Sequence, residues 1–276
     1  MKIKFLGSGS AFVLGKENYQ SNILLTKDDK HLLYDCGTTI PDALDEAGLV
    51  PQDLDSIYIS HLHGDHAGGI EYIAFKTFFE VFNFGKTEFG SMRPKLYAHK
   101  AILFNGWDFT WKGGLQSIQG QTNTLETYFD TSYMSSNDVF DFYGTEMKPI
   151  QTVHIVDNRS IVPSYGMMFT DNEITVFISG DSQFAPNQML TYFNQSDIIF
   201  HDCEFAEYPN SVHAQYHQLL TLPDNVREKM WLYHYMLKGK TFDELNQEVR
   251  DAGFAGLIKK GQEFDTSNIA DMARIC

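Results

Sequence analysis

His61-Leu62-His63-Gly64-Asp65-His66 packs three imidazoles and a carboxylate into one short run, just past the apolar stretch Asp55-Ser56-Ile57-Tyr58-Ile59-Ser60. Neutral imidazole together with carboxylate suits zinc and similar divalent ions, and ligands crowded beyond a strand end can face one cavity from a rigid base. A solvated turn offers histidines singly, not in such a cluster. His61 and His63 stand two apart in an extended segment and so point the same way, while Asp65 and His66 can turn toward a second position a few ångströms off. The spacing therefore implies two ions.

Two ions need more ligands. The chain carries His154 in Gln151-Thr152-Val153-His154, Asp181 in Ile178-Ser179-Gly180-Asp181-Ser182 and His234 in Trp231-Leu232-Tyr233-His234, after an early strand ending in aspartate, Leu32-Leu33-Tyr34-Asp35-Cys36-Gly37. A lone histidine at a strand end is more often a hydrogen-bonded core or rim residue, but the joint order of these segments resembles the metallo-β-lactamase superfamily over most of the chain. That resemblance implies an α/β fold, the four-layer αββα sandwich, and a dinuclear centre. By it His61, His63 and His154 hold one metal, Asp65, His66 and His234 hold the other, and Asp181 bridges them. It also implies that Asp35 lies beneath the site and orients the histidine loop without binding metal, since such carboxylates fix the imidazole tautomer and raise ligand basicity.

At 276 residues with 43% hydrophobic content, the chain can bury a sizeable core. Ligands running from residue 61 to residue 234 must converge, so residues 1–276 read as one hydrolase domain. The net charge of −15 repels polyanions and argues for a small substrate over a long nucleic acid. Cys36, Cys203 and Cys276 make an odd count with no framework spacing, which fits a reducing cytoplasm. The N-terminal run Met1 to Ser10 reads as a strand entering a glycine turn and not as a signal peptide, and no apolar run is long enough to span a membrane.

Short alternating or apolar runs near residues 2–6, 22–26, 31–35, 55–60, 94–98, 148–154, 174–179, 196–200, 230–234 and 255–260 read as strands. Helical runs read at Ala67 to Phe82, Pro186 to Phe193, His213 to Leu220 and Phe242 to Ala252, the last opened by a Thr241 to Glu244 capping box. Residues 83–147 fit no simple period and are rich in aromatic residues, among them Phe104, Trp107, Phe109, Trp111, Tyr128 and Tyr133. They read as an insertion serving as a lid, a homodimer contact or both, with Trp107, Trp111 and Tyr165 as candidate substrate contacts.

Two divalent ions about 3.5–4 Å apart lower the pKa of a shared water and clamp the oxygens of an in-line displacement at phosphorus. Hydrolysis by a hydroxide shared between the metals follows, with Asp65 placed to orient it as well as to bind. The ions are zinc first, with manganese or iron acceptable to the same donors. Relatives that open β-lactams typically carry cysteine where this chain has Asp181. A further discriminator is Asp197-Ile198-Ile199-Phe200-His201-Asp202-Cys203-Glu204 followed by Val212-His213-Ala214-Gln215-Tyr216, which resembles the ribonuclease Z branch and its related phosphodiesterases. That likeness implies His213 and Asp202 as a catalytic pair, a histidine held by a carboxylate that protonates the leaving alkoxide, with Glu204 or His201 as alternative partners. True tRNA-processing members usually insert a long basic arm between the lone histidine and the bridging aspartate, whereas His154 and Asp181 here are 27 residues apart, joined through a short hairpin at 158–166. The resemblance therefore points to a dinuclear phosphodiesterase for a small phosphodiester, foremost a cyclic nucleotide, as in the phage enzymes that destroy cyclic-nucleotide alarm signals. A ribonuclease Z-like nuclease, a thioesterase or lactonase, and a non-enzymatic metal-bound sensor are the alternatives.

Overall fold

Strand after strand in this protein alternates its side chains between two apolar layers, as seen in a computed structural model that describes residues 1–13, 17–81, 93–158, 160–209 and 211–268. The strands of the first half are β1 (Lys2–Phe5), β2 (Ile23–Lys27), β3 (Lys30–Tyr34), β4 (Ser56–Tyr58), β5 (Lys95–His99), a small hairpin β6 (Ser117–Ile118) and β7 (Gln121–Thr122), and β8 (Asp130–Met134). Those of the second half are β9 (Phe140–Phe142), β10 (Thr145–Gln151), β11 (Tyr165–Asp171), β12 (Ile174–Ile178), β13 (Ile198–Asp202), β14 (Met230–Tyr233), β15 (Gly256–Leu257) and β16 (Glu263–Asp265). Two seven-stranded sheets result, ordered β16-β1-β2-β3-β4-β5-β8 and β9-β10-β11-β12-β13-β14-β15. In each, three antiparallel pairings are followed by three parallel ones.

Register explains why the sheets stack. Val176, Phe200 and Tyr233 join the core that holds Phe5 and Phe264 of the first sheet. Their neighbours Phe177, Ile199 and Leu232 join a separate cluster with Met189, Phe193, Leu245 and Val249 of the helices Pro186–Gln195 and Phe242–Asp251. Phe200 is the pivot of the inter-sheet layer, its ring edge-on to Phe5 at 5.0 Å and to Phe264 at 4.9 Å. With a helix such as Ile70–Val81 packed on the first sheet and the helices above on the second, the molecule is the four-layer αββα sandwich of the α/β class.

The sheets are also joined at the carboxyl ends of their parallel strands, where α/β folds bind ligands. Tyr165 N–H donates to the Ser60 carbonyl at 3.1 Å and His234 N–H to the Ser8 carbonyl at 2.8 Å. Below these, the Tyr34 and Tyr58 hydroxyls both donate to the Tyr165 carbonyl at 3.3 Å.

Several elements differ from the sequence expectations. The helix expected from Ala67 to Phe82 is a short turn, Gly64–Ala67, and then Ile70–Val81; Phe82, like residues 83–92, Arg159 and Cys276, lies outside the described residues. Gly69 sets the break: a Cβ there would sit 2.5 Å from the Gly37 carbonyl oxygen. β11 is a full strand where a hairpin at 158–166 was expected, and the hairpin itself is tighter, closed by a Val156 to Ile161 bridge. Glycine weakens the strand signal at Gly166, yet nothing larger fits, since a Cβ would lie 2.4 Å from the Ile178 carbonyl oxygen. The described part of segment 83–147 is woven into the sandwich, supplying β5 and β8 to one sheet and β9 and the start of β10 to the other. Many of its aromatic residues, Tyr128, Phe129, Phe140 and Phe142 among them, are buried in the core.

Phe200→Ala should lower stability by about 3–5 kcal/mol, the usual cost of truncating a buried phenylalanine. Urea titration is expected to show a lower midpoint with an unchanged slope.

Candidate metal centre

Asp35 follows β3 and His61 follows β4 by a few residues, so the parallel pairing of these strands sets the carboxylate beside the histidine loop. Asp35 adopts φ +63°, a left-handed conformation uncommon for a side-chain-bearing residue, and is fully buried. Its Oδ1 accepts the Ser60 N–H at 2.8 Å; its Oδ2 accepts the Ser60 hydroxyl at 2.8 Å and His66 Nδ1–H at 2.7 Å. Because the Ser60 hydroxyl donates to Asp35, its lone pair is left to accept His61 Nδ1–H at 3.0 Å. One carboxylate thus holds the Nδ1 protons of both histidines and aims each Nε2 into the centre, with its lone pair free on His61 and, on His66, free once the second proton has left. Ser60 was not singled out from the sequence; its place between the strand and the first histidine was the available signal. Gly37 completes the cradle, since a Cβ there would lie 2.1 Å from the Asp65 carbonyl oxygen.

The donors gather in three overlapping sets that all contain Asp181, and two of them hold the seven ligands expected from the sequence. In the first, His63 Nδ1 lies 3.0 Å from His61 Nε2 and 3.1 Å from His154 Nε2, and both Nε2 atoms are 3.7 Å from Asp181 Oδ2. His154 is turned inward by Nδ1–H donating to the Val212 carbonyl at 2.8 Å. In the second, His66 Nε2 lies 3.2 Å from Asp65 Oδ2 and 3.2 Å from Asp181 Oδ1, while His234 Nε2 lies 3.1 Å and 3.4 Å from the same two oxygens. Bonds of about 2.0–2.1 Å to zinc imply tetrahedral edges of about 3.3 Å, so the second set matches a metal polyhedron closely. Among the described residues both Asp181 oxygens are buried without a hydrogen-bond donor, although an unpaired buried carboxylate is costly. A cation on each oxygen resolves that cost. The residues fit two divalent ions, one held by His61, His63, His154 and Asp181, the other by Asp65, His66, His234 and Asp181. His234 itself sits at φ +59°, the second strained residue of the centre.

Electrostatics separates the two sets. Burial holds His61, His63 and His154 below the ordinary histidine value, so their lone pairs are free. Burial also opposes charge on His66, but Asp181, Asp35 and Asp65 outweigh it and hold its pKa well above the usual range. Asp65 is kept well below the usual carboxylate value, burial notwithstanding, by His66 and His234. An ion entering the second set must displace the His66 proton.

Beside Asp181 stand two groups that belong to neither set. His213 Nδ1 lies 2.8 Å from Asp202 Oδ2 and 3.8 Å from Asp181 Oδ2. Asp202, at the end of β13, is fully buried, and its Oδ2 also accepts Ser182 N–H at 3.1 Å. Glu204, an alternative partner for His213 on sequence grounds, instead accepts Ala206 N–H at 2.7 Å. His213 precedes the short helix Tyr216–Leu219 instead of starting a longer one. Burial opposes its charge, yet the Asp181 carboxylate and the Asp202 hydrogen bond prevail and raise its pKa to about 9.

The three aromatic candidates for substrate contact are not brought to the centre as open faces. Trp111 is buried, its indole N–H donating to the Ala67 carbonyl at 3.2 Å, and Trp107 packs against the same core. Tyr165 is buried with its ring stacked on His99 at 4.9 Å. Aromatic composition alone did not separate core from surface here, because both uses draw on the same residue types.

Asp35→Asn should retain every ligand yet weaken metal affinity by about 10–100-fold, the range for losing an outer partner; competition with a chromogenic chelator measures it. Because the His66 proton must leave, affinity for the second ion should rise with pH from below to above the ordinary histidine range, with proton release visible by calorimetry in buffers of different ionisation enthalpy. His234→Ala should reduce saturating metal content from two ions per chain to one.

Comparison with known proteins agrees with this geometry. Residues 1–264 match the family model of the anti-Pycsar protein Apyc1. The anti-Pycsar protein Apyc1 of Paenibacillus harenae is 36% identical over 246 residues, which cover 88% of this chain and 92% of that protein. Among solved structures, the metallo-β-lactamase fold protein YhfI from Bacillus subtilis superposes with a TM-score of 0.71 at 21% identity, over 95% of this chain and 98% of that one. A diphosphatase from the PhnP family superposes with a TM-score of 0.69 at 17% identity, over 96% and 97% of the two chains. These last two are likenesses of fold. Sandwich, paired ligand sets and sequence match converge: the chain is a metal-dependent hydrolase of the metallo-β-lactamase fold and belongs to the anti-Pycsar Apyc1 family.

Proposed function

We propose that this hydrolase cleaves a small phosphodiester, a cyclic nucleotide, with His213 protonating the oxygen that leaves phosphorus. The observation that carries the reading is the 2.8 Å pair of His213 and Asp202 beside the shared carboxylate Asp181. A phosphodiester's ribose alkoxide is a poor leaving group and needs a proton, which a thioester's thiolate does not. When bound, the ions supply charge to activate water and to clamp the phosphoryl oxygens. The chain's own residues do the rest. Asp65 orients the attacking water, whose oxygen bonds to phosphorus as the bond to the ribose oxygen breaks, and whose released proton passes to solvent, from which His213 is reprotonated. His213 keeps Nδ1–H on Asp202, so Nε2 is the nitrogen that gives its proton to the ribose oxygen.

A net charge of −15 supports a small substrate over a long polyanion. Membership of the anti-Pycsar Apyc1 family supports a cyclic one. Zinc is the ion this reading favours, because imidazole-rich sets with tetrahedral edges suit it. Cys36 and Cys203, buried and free, accord with a reducing cytoplasm, and among the described residues no helix is long and apolar enough to cross a membrane. The aromatic segment keeps Phe104, Phe109 and Tyr133 exposed, Phe104 stacked on Tyr133 at 5.0 Å, which supports its use as a homodimer contact or a lid. Light scattering that finds a monomer at every concentration would remove the dimer.

His213→Ala should bind both ions and fold, yet lose about 10²–10⁴ in kcat on a cyclic nucleotide, the range for general acid catalysis. A p-nitrophenyl diester, whose leaving group needs no proton, should lose far less; equal losses would return His213 to phosphate positioning. A raised pKa means that the imidazolium is present at neutral pH and is lost as pH climbs toward about 9. Turnover of the cyclic substrate should therefore fall on that alkaline limb, shifted lower once ions occupy Asp181, and the limb should be missing in His213→Ala.

A further inference from the structure

His201 is a buried imidazole in an apolar setting. β13 turns it away from the inter-sheet core toward the outer cluster, where it meets the ring of Phe193 at 5.6 Å. An imidazole there forfeits hydration and needs a bond in return. That bond curls back around the strand end. His201 Nδ1 lies 2.8 Å from the carbonyl oxygen of Asp202 and 3.4 Å from Asp202 Oδ1. Carbonyl and carboxylate oxygens only accept, so the proton resides on Nδ1.

Asp202 uses its two oxygens unequally. Oδ2 takes His213 Nδ1–H and Ser182 N–H, whereas Oδ1 is buried and makes no full hydrogen bond among the described residues. The His201 Nδ1–H, bonded to the Asp202 carbonyl, also lies 3.4 Å from it. We infer that His201 is a positioning residue for the proton donor: it holds the Asp202 carboxylate in the rotation that presents Oδ2 to His213. Without that donor, Oδ1 is left buried and unpaired, and rotation of the carboxylate toward other donors releases His213 from its Nδ1 bond. The freed ring can then turn away from the leaving oxygen.

This inference rests on the phosphodiesterase reading, and the test separates the two. Metal-loaded His201→Leu and His201→Asn are compared with the unsubstituted protein on a 3′,5′-cyclic nucleotide and on bis(p-nitrophenyl) phosphate. His201→Leu should lower kcat on the cyclic nucleotide by about 10–100-fold, as losses of outer orienting partners do, with KM, metal content and p-nitrophenyl ester cleavage little changed. His201→Asn should restore most of the rate, because its amide N–H stands where Nδ1–H stood. In an Asp202→Asn background the further change His201→Leu should cost nothing, as expected of residues acting through one another. Equal losses on both substrates, a folded Asn variant that fails to restore the rate, or additive losses in the double variant would overturn the assignment. His201→Phe, which keeps a ring against Phe193, replaces the leucine variant if that one does not fold. Should the unsubstituted protein cleave neither diester, the phosphodiesterase reading falls, and the positioning is judged from the His213 Nδ1–H proton resonance. It should shift or vanish in His201→Leu and return in His201→Asn; an unmoved resonance refutes the role.

Discussion

The buried carboxylate of Asp35 is the constraint on which the centre depends. A carboxylate removed from water must find donors, and this one finds them in Ser60 and His66. Satisfying it fixes the serine, the serine fixes His61, and both ligand sets acquire a histidine whose Nδ1 proton is tied on the side away from the centre. Burial alone pushes the Asp35 carboxyl up, and His66 and Ser60 pull it back. The left-handed backbone at Asp35 is tolerated because these bonds and the pairing of β3 with β4 over-determine it.

A second carboxylate, Asp181, works in the opposite sense. Its oxygens accept no hydrogen bond among the described residues, so the fold concentrates negative charge at the one point both ligand sets touch. Asp202 stands between these extremes, satisfied on one oxygen and approached on the other, at 3.4 Å, by its neighbour His201 on the same strand. The three aspartates lie at or just past the ends of β3, β12 and β13, yet their surroundings suit them to orienting, bridging and holding a proton donor.

How much of this was readable beforehand follows from which interactions are local. The ligands in His61 to His66 lie within one turn and one strand end, so their spacing determines where they point. His154, Asp181 and His234 were legible through their order along the chain, while Asp35's partners follow from a parallel pairing that spacing alone does not reveal. β11 was missed because Gly166 is required by a close approach to the Ile178 carbonyl, a long-range contact that reads locally as a turn. Trp111 and Tyr165 were drawn toward the substrate for their residue type, whereas their position is settled by partners at Ala67 and His99, far off in sequence. His201 was visible only as a spare alternative, because its role depends on a ring reaching around its own strand.

The two sheets share one pairing pattern, and each half brings its own share of donors to the meeting line. Neither half holds a complete ligand set: His61 and His63 come from one, His154 and Asp181 from the other, and Asp65 and His66 meet His234 across the same line. Each ion is therefore a rivet through a seam. Whatever free energy the ions would release on binding is cohesion between the halves, added to the stability of the folded state as the logarithm of free metal over its dissociation constant. Metal scarcity in the cell would then act on this protein twice, silencing its chemistry and loosening the joint along which its two halves meet.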